Sequence, residues 1–169
     1  MRNLISILIQ DSIRYGGRNF LRIWFRDPRF RAVVLLRLGC SLHKFGLFRK
    51  SWLSRWLKNR LCLKYGIDTG FSVRIGPGIK IVHLGGIIIH QYAEIGRQLT
   101  ILNNVTIGQS TEKVQVPIIG DKVKIGVFSA ILGNVTIGDD VTVGSHTLVN
   151  KSIGNSKVVV GVPAQVIKG

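Results

Sequence analysis

Groups able to do chemistry are few in this 169-residue chain: four His, two Cys and eight Asp/Glu. Their spacing singles out His83. From Ile75 to Val149 aliphatic residues return every six or twelve positions, except that Ile81 to Ile89 is a step of eight. His83 stands inside that longer step, with Gly85-Gly86 just after it and Asp68 fifteen residues before it. Imidazole titrates near neutral pH and can take a proton from a weak nucleophile. A carboxylate beside it fixes the tautomer and supports the imidazolium that forms. On residue types alone, a structural histidine without chemistry is the commoner case. His90 and His146 fall where the chain turns a corner and His43 in a helical stretch, so none of the three is assigned a reaction. Cys40 and Cys62 form neither a CxxC pair nor a Cys/His cluster and read as two buried thiols.

The element that must position His83 is the repeat itself. Ile75, Ile81, Ile89, Ile95, Ile101, Ile107, Ile119, Ile125, Ile131, Ile137, Val143 and Val149 mark the beat, often with a Gly directly after. A second apolar or small residue usually sits two places earlier, as in Val135-Thr-Ile137. A six-residue beat would scatter around a 3.6-residue helix. Two inward residues two apart, followed by a corner, instead describe a short strand and a turn. Repetition of that unit is the mark of a parallel β-helix, an all-β solenoid whose core grows by stacking coils.

Charge divides the chain differently. Residues 1–66 hold 15 Lys/Arg against 2 Asp/Glu, and residues 67–169 hold 9 against 6. All three Trp lie in the first part. Helical stretches are expected at about Leu4–Tyr15, Pro28–Lys44 (with Asp27-Pro28 as its start) and Lys50–Lys64. The last is a basic amphipathic helix carrying Trp52 and Trp56. This front can cap the solenoid or pack against neighbouring subunits, and it can dock on an anionic membrane surface. Nucleic acid is disfavoured, because no reading module or stacking platform is present. No apolar run reaches the length of a membrane span. The chain is therefore expected in the cytoplasm, with peripheral contact to the inner face of the cytoplasmic membrane as an extension of that reading. Two domains are expected, 1–66 and 67–169.

From Ile67 onward the sequence resembles the hexapeptide-repeat acyltransferases, and within them the serine acetyltransferase-like branch that includes polysaccharide O-acetyltransferases. Ile67-Asp68, the run Ile75-Gly-Pro-Gly-Ile-Lys-Ile-Val-His83 and Gly85-Gly86 carry the likeness. Ile101–Gly108, Ile131–Gly138 and the closing Gly161-Val-Pro-Ala164 extend it. The resemblance implies a left-handed parallel β-helix behind a short basic helical region, and a homotrimer with its active sites between neighbouring prisms. It implies acetyl transfer from acetyl-CoA to a hydroxyl, with His83 as general base and Asp68 as its orienting carboxylate. Contacts to acetyl-CoA are implied at Val127 and Ser145 for the pantetheine, and at Asn150 and Lys151 near the adenine and phosphates. No metal is implied. A zinc hydrolase on the same fold would need three converging histidines, which His83, His90 and His146 do not resemble.

Two departures bear on the acceptor. In serine acetyltransferases an active-site His with an adjacent Arg meets the serine carboxylate, and an Asp precedes the catalytic His. The corresponding residues here are Val116, Gln115 and Val82, all uncharged. Gln109 to Pro117 also breaks the beat. Loss of those charges leads to the expectation of a neutral acceptor, a carbohydrate or lipid-linked glycan hydroxyl in cell-surface polysaccharide synthesis. Serine in cysteine biosynthesis is the alternative, and a non-catalytic scaffold docked on membranes is a second.

Overall fold

The computed structural model describes residues 4–17, 19–44, 46, 51–110 and 115–169. Fourteen short strands wind into a three-faced parallel solenoid, and a fifteenth closes it antiparallel. On the first face lie β1 (Ile67–Thr69), β4 (Ile87–Ile89), β7 (Thr106–Gly108), β10 (Ala130–Leu132) and β13 (Leu148–Val149), in that order. The second face carries β2 (Arg74–Ile75), β5 (Glu94–Ile95), β8 (Ile118–Ile119) and β11 (Thr136–Ile137). The third runs β3 (Lys80–Ile81), β6 (Thr100–Ile101), β9 (Lys124–Ile125), β12 (Thr142–Val143) and β14 (Val158–Val160), with β15 (Gln165–Lys168) antiparallel to β14.

Register explains the beat and its breaks. Ala130 pairs with Leu148 and Ile88 with Thr106, so these coils advance by 18 residues. Ile67 pairs with Ile87, a coil of 20 that absorbs the long step at His83. Thr106 pairs with Ala130, a coil of 24 whose extra six residues lie in the unpatterned stretch before Pro117. The marker residues point inward as expected, from Ile81 at 2 % exposure to Val149 at 0 %. Ile75 alone among them is only partly buried. Each inward aliphatic contributes about 1.5–3 kcal/mol of burial, and backbone N–H groups bond to carbonyls one coil on, as Gly96 N–H does to Ile119 O at 2.7 Å.

Helices cover the open end of the stack. α1 (Leu4–Ile13) and α3 (Pro28–Leu42) match the sequence expectation, and Asp27 caps α3 by accepting from Arg29 N–H. α4 (Trp52–Asn59) begins at Ser51, which accepts from Ser54 N–H, and continues as a π-helical turn, Arg60–Lys64. Lys50, expected to open that helix, lies outside the described residues. The seven-residue α2 (Phe20–Arg26) was not expected. Two Arg stand four apart among its five apolar residues, and it is started by Asn19, which accepts from Arg22 N–H. Leu36, Leu57 and Leu61 join the solenoid's own aliphatics in one continuous core.

A solenoid's first coil leaves strand edges unpaired, a liability wherever they are exposed. Here β3 is such an edge. Asp11 accepts from Gly78 N–H at 2.7 Å and Ile79 N–H at 3.1 Å, and the Tyr15 hydroxyl accepts from Ile81 N–H at 2.7 Å. Arg37 donates to the carbonyls of Ile75 and Gly76 and to both oxygens of Asp11. Asp11 is fully buried and Arg37 is 7 % exposed. Capping of the solenoid, one of the roles open to the basic front, is thus one that it fills. Both cysteines are free. Cys40 is partly buried, and burial pushes its thiol up to about 11. Cys62 is exposed on the outer side of its helix, contrary to the expectation of two buried thiols.

Candidate active site

The corners between the third and first faces stack into one edge of the prism. His83 lies in the corner after β3, Asn104 after β6, Val127 after β9 and Ser145 after β12. Backbone bonds tie corner to corner. Asn104 N–H donates to Gly85 O at 2.9 Å, Phe128 N–H to Asn103 O at 3.4 Å and His146 N–H to Val127 O at 2.9 Å. His83 is exposed in the widest of these corners. That width depends on glycine. A Cβ on Gly66 would lie 2.6 Å from Gly85 Cα, and one on Gly86 would lie 2.1 Å from Asn104 Oδ1.

The close approach of Gly66 to Gly85 brings the start of β1 against the His83 corner. Asp68 projects from β1 into solvent, opposite Ile88 in register. His83 and Asp68 are thus placed on adjoining coils at one edge. No hydrogen bond joins them among the described residues.

A second charged pair stands at this corner, legible in the sequence only as the start of a helix. The Arg29 guanidinium grips Asp27 through Nε at 2.8 Å and Nη2 at 2.6 Å, while Nη1 donates to Val82 O at 3.0 Å. Asp27 and Arg29 are therefore anchored to the carbonyl preceding His83 from more than fifty residues upstream. Burial pushes the Asp27 carboxyl up, but hydrogen bonds from the Arg29 side chain and backbone outweigh it and hold it below the ordinary carboxylate value. The pair stays ionised at neutral pH. Three of the five guanidinium N–H groups are used in these bonds, and the Arg29 side chain is 40 % exposed.

The residues implied for acetyl-CoA fall on both sides of the first face. Val127 and Ser145 share the His83 edge on neighbouring coils, where a Cβ on Gly126 would meet Ser145 N at 2.6 Å. Two buried hydroxyls fix that corner from inside. Ser129 donates to Gly144 O at 2.7 Å and Thr147 to Ser145 O at 3.3 Å. Phe128, 56 % exposed, stacks on His146 at 5.0 Å, which gives that histidine a packing role. Asn150 and Lys151 lie exposed on the opposite edge, after β13. The Gly161–Ala164 turn reaches the same strand, since Leu148 N–H donates to Gly161 O and Leu148 O accepts from Ala164 N–H. Between the edges, register aligns Asp68, Ile88, Thr106, Ala130 and Leu148 along the outer surface. Gln115 is exposed and Val116 partly buried, while residues 111–114 of that loop lie outside the described residues. His90 sits at the far edge, its Nδ1 accepting from Tyr92 N–H, so His83, His90 and His146 do not converge. Among the described residues no group of three or more His, Cys, Asp or Glu could hold a metal ion.

Residues 117–151 match the family model for the bacterial transferase hexapeptide (six repeats). The serine acetyltransferase of Helicobacter pylori (strain J99 / ATCC 700824) is 30% identical over 155 residues, spanning 90% of this chain and 88% of that protein. That of Buchnera aphidicola subsp. Schizaphis graminum is 35% identical over 142 residues, spanning 82% of this chain and 53% of the relative. The solved structure of soybean serine acetyltransferase complexed with serine superposes with a TM-score of 0.86 at 27% identity, covering 97% of this chain and 69% of that one. Fold and matches together define a hexapeptide-repeat, left-handed β-helix protein of the acyltransferase class. Within that class the chain belongs to the serine acetyltransferase family. It spans about half the length of several of its curated relatives, 53%, 52% and 47% for three of them.

These relatives overturn the expectation of a carbohydrate acceptor in polysaccharide synthesis. Similarity over most of this chain runs consistently to serine acetyltransferases. That expectation rested on missing charges in the His83 hexad and the Gln109–Pro117 loop, with the basic front as indirect support. The fold brings a further charged pair, Asp27 and Arg29, to the carbonyl of Val82 itself.

Proposed function

We propose that this chain transfers the acetyl group of acetyl-CoA to the hydroxyl of serine. The observation that carries this reading is similarity to the Helicobacter pylori serine acetyltransferase across 88% of that protein's length. His83 takes the hydroxyl proton as the serine oxygen attacks the thioester carbonyl. As the tetrahedral intermediate collapses, the C–S bond breaks and the imidazolium returns the proton to the departing thiolate of CoA. Asp68 orients the imidazole once substrate closes the corner. Catalytic hydrogen bonds are often loose in unliganded enzymes, so their separation here is compatible with that role.

A zwitterionic acceptor needs one anionic and one cationic contact. With Val82, Gln115 and Val116 uncharged, Asp27 and Arg29 supply them: the carboxylate faces the ammonium, and the free guanidinium N–H groups meet the carboxylate. The donor lies along the first face, its pantetheine at Val127 and Ser145 and its nucleotide at Asn150 and Lys151. Three copies of the chain form the working assembly. A saturation assay with L-serine and acetyl-CoA, read by thiol release, tests the reading. Saturable formation of O-acetylserine is expected, and thiol release no faster with serine than without it overturns the assignment.

A further inference from the structure

Seven side chains on one helix are left unused by the reaction. From Trp52 to Lys64 the helix turns Leu53, Leu57 and Leu61 toward the core, Leu57 and Leu61 at 1 % exposure. On the opposite side Trp52, Arg55, Trp56, Asn59, Arg60, Leu63 and Lys64 recur at helical spacing, and all are exposed. The apolar members are more open than a soluble surface requires: Trp52 is 77 % exposed, Trp56 48 % and Leu63 85 %. Arg60 sits over the Trp56 ring at 6.0 Å. The stripe thus alternates large apolar groups with cations along roughly 20 Å of helix. Between Asp27 and Asp68 the sequence has no acidic residue, and among the described residues no ion pair reaches Arg55, Arg60 or Lys64.

We propose that this stripe docks the protein on an anionic lipid bilayer, with the helix lying in the interface. Trp and Leu enter the headgroup boundary, while Arg55, Arg60 and Lys64 meet lipid phosphates. A lipid surface is favoured over nucleic acid because the stripe is a straight row of mixed apolar and basic groups, with a Leu where a stacking platform would carry an aromatic. No helix among the described residues is long and apolar enough to cross a membrane. The proposed docking is separate from the serine reading, and its test uses neither serine nor acetyl-CoA.

The intact chain is floated with vesicles of phosphatidylcholine alone and of equimolar phosphatidylcholine and phosphatidylglycerol. Partition into the anionic vesicles only, weakened by salt and accompanied by a blue shift of Trp emission, is the expected result. Arg55→Gln with Arg60→Gln should lower partition by about fivefold per charge, and Trp52→Ala with Trp56→Ala by about tenfold. These side chains are exposed, so the variants should keep the parent's circular dichroism; the lipid and salt comparison on the unaltered chain stands whether they do or not. Equal partition into both vesicles, or none into either, overturns the proposal. So does protection of the tryptophans from iodide quenching before lipid is added, which would assign the stripe to a second copy of the chain. Capture by single-stranded RNA in preference to anionic vesicles also overturns it.

Discussion

In the stack of coils, each inward Ile or Val is one of many near-equivalents, and each strand's hydrogen bonds are made by the next coil. In the helical front, a few polar side chains carry the junction: Asp11, Tyr15 and Arg37 meet the backbone edge that no further coil is present to meet. One region spreads its stability over a repeat, and the other concentrates it in a buried ion pair. Function follows the same division. The repeat supplies a rigid edge, while the departures from it and the helices laid over its open end supply the charged groups around His83.

Removing Asp11 should break this contrast most sharply. Asp11→Ala leaves Arg37 charged and buried without its partner and strips the acceptor from two backbone N–H groups. A loss of about 3–5 kcal/mol is expected, read by urea unfolding. A loss no larger than that of a surface substitution would mean that the cap does not hold the first coil. A methyl deletion within the stack, Ile107→Val, should cost only about 0.5–1.5 kcal/mol, because Ile107 is one fully buried rung among many. A larger loss than that of Asp11→Ala would reverse the comparison.

The division also governs what could be read from sequence. The period exposed the coils, their inward residues and both irregular segments, because each depends on neighbours six or eighteen positions away. His83 was visible as the residue in the step of eight. The Asp27–Arg29 pair was not, since only its cap signature is local and its contact with Val82 closes over more than fifty residues. Charges absent from the repeat are nevertheless present at the corner, because the start of α3 brings Asp27 and Arg29 to it. Asp11 and Arg37 were equally hidden, as two ordinary charges in a basic region until the fold buried them together. The acyl-donor residues came from resemblance, and register separates them onto the two edges of one face.

Acetyl transfer to L-serine by His83→Ala, compared with the unaltered chain, tests the central claim most directly. Turnover should fall by about 10²–10⁴-fold, with acetyl-CoA binding measured by calorimetry and sedimentation of the assembly both unchanged. Turnover in the variant equal to that of the unaltered chain would contradict the claim.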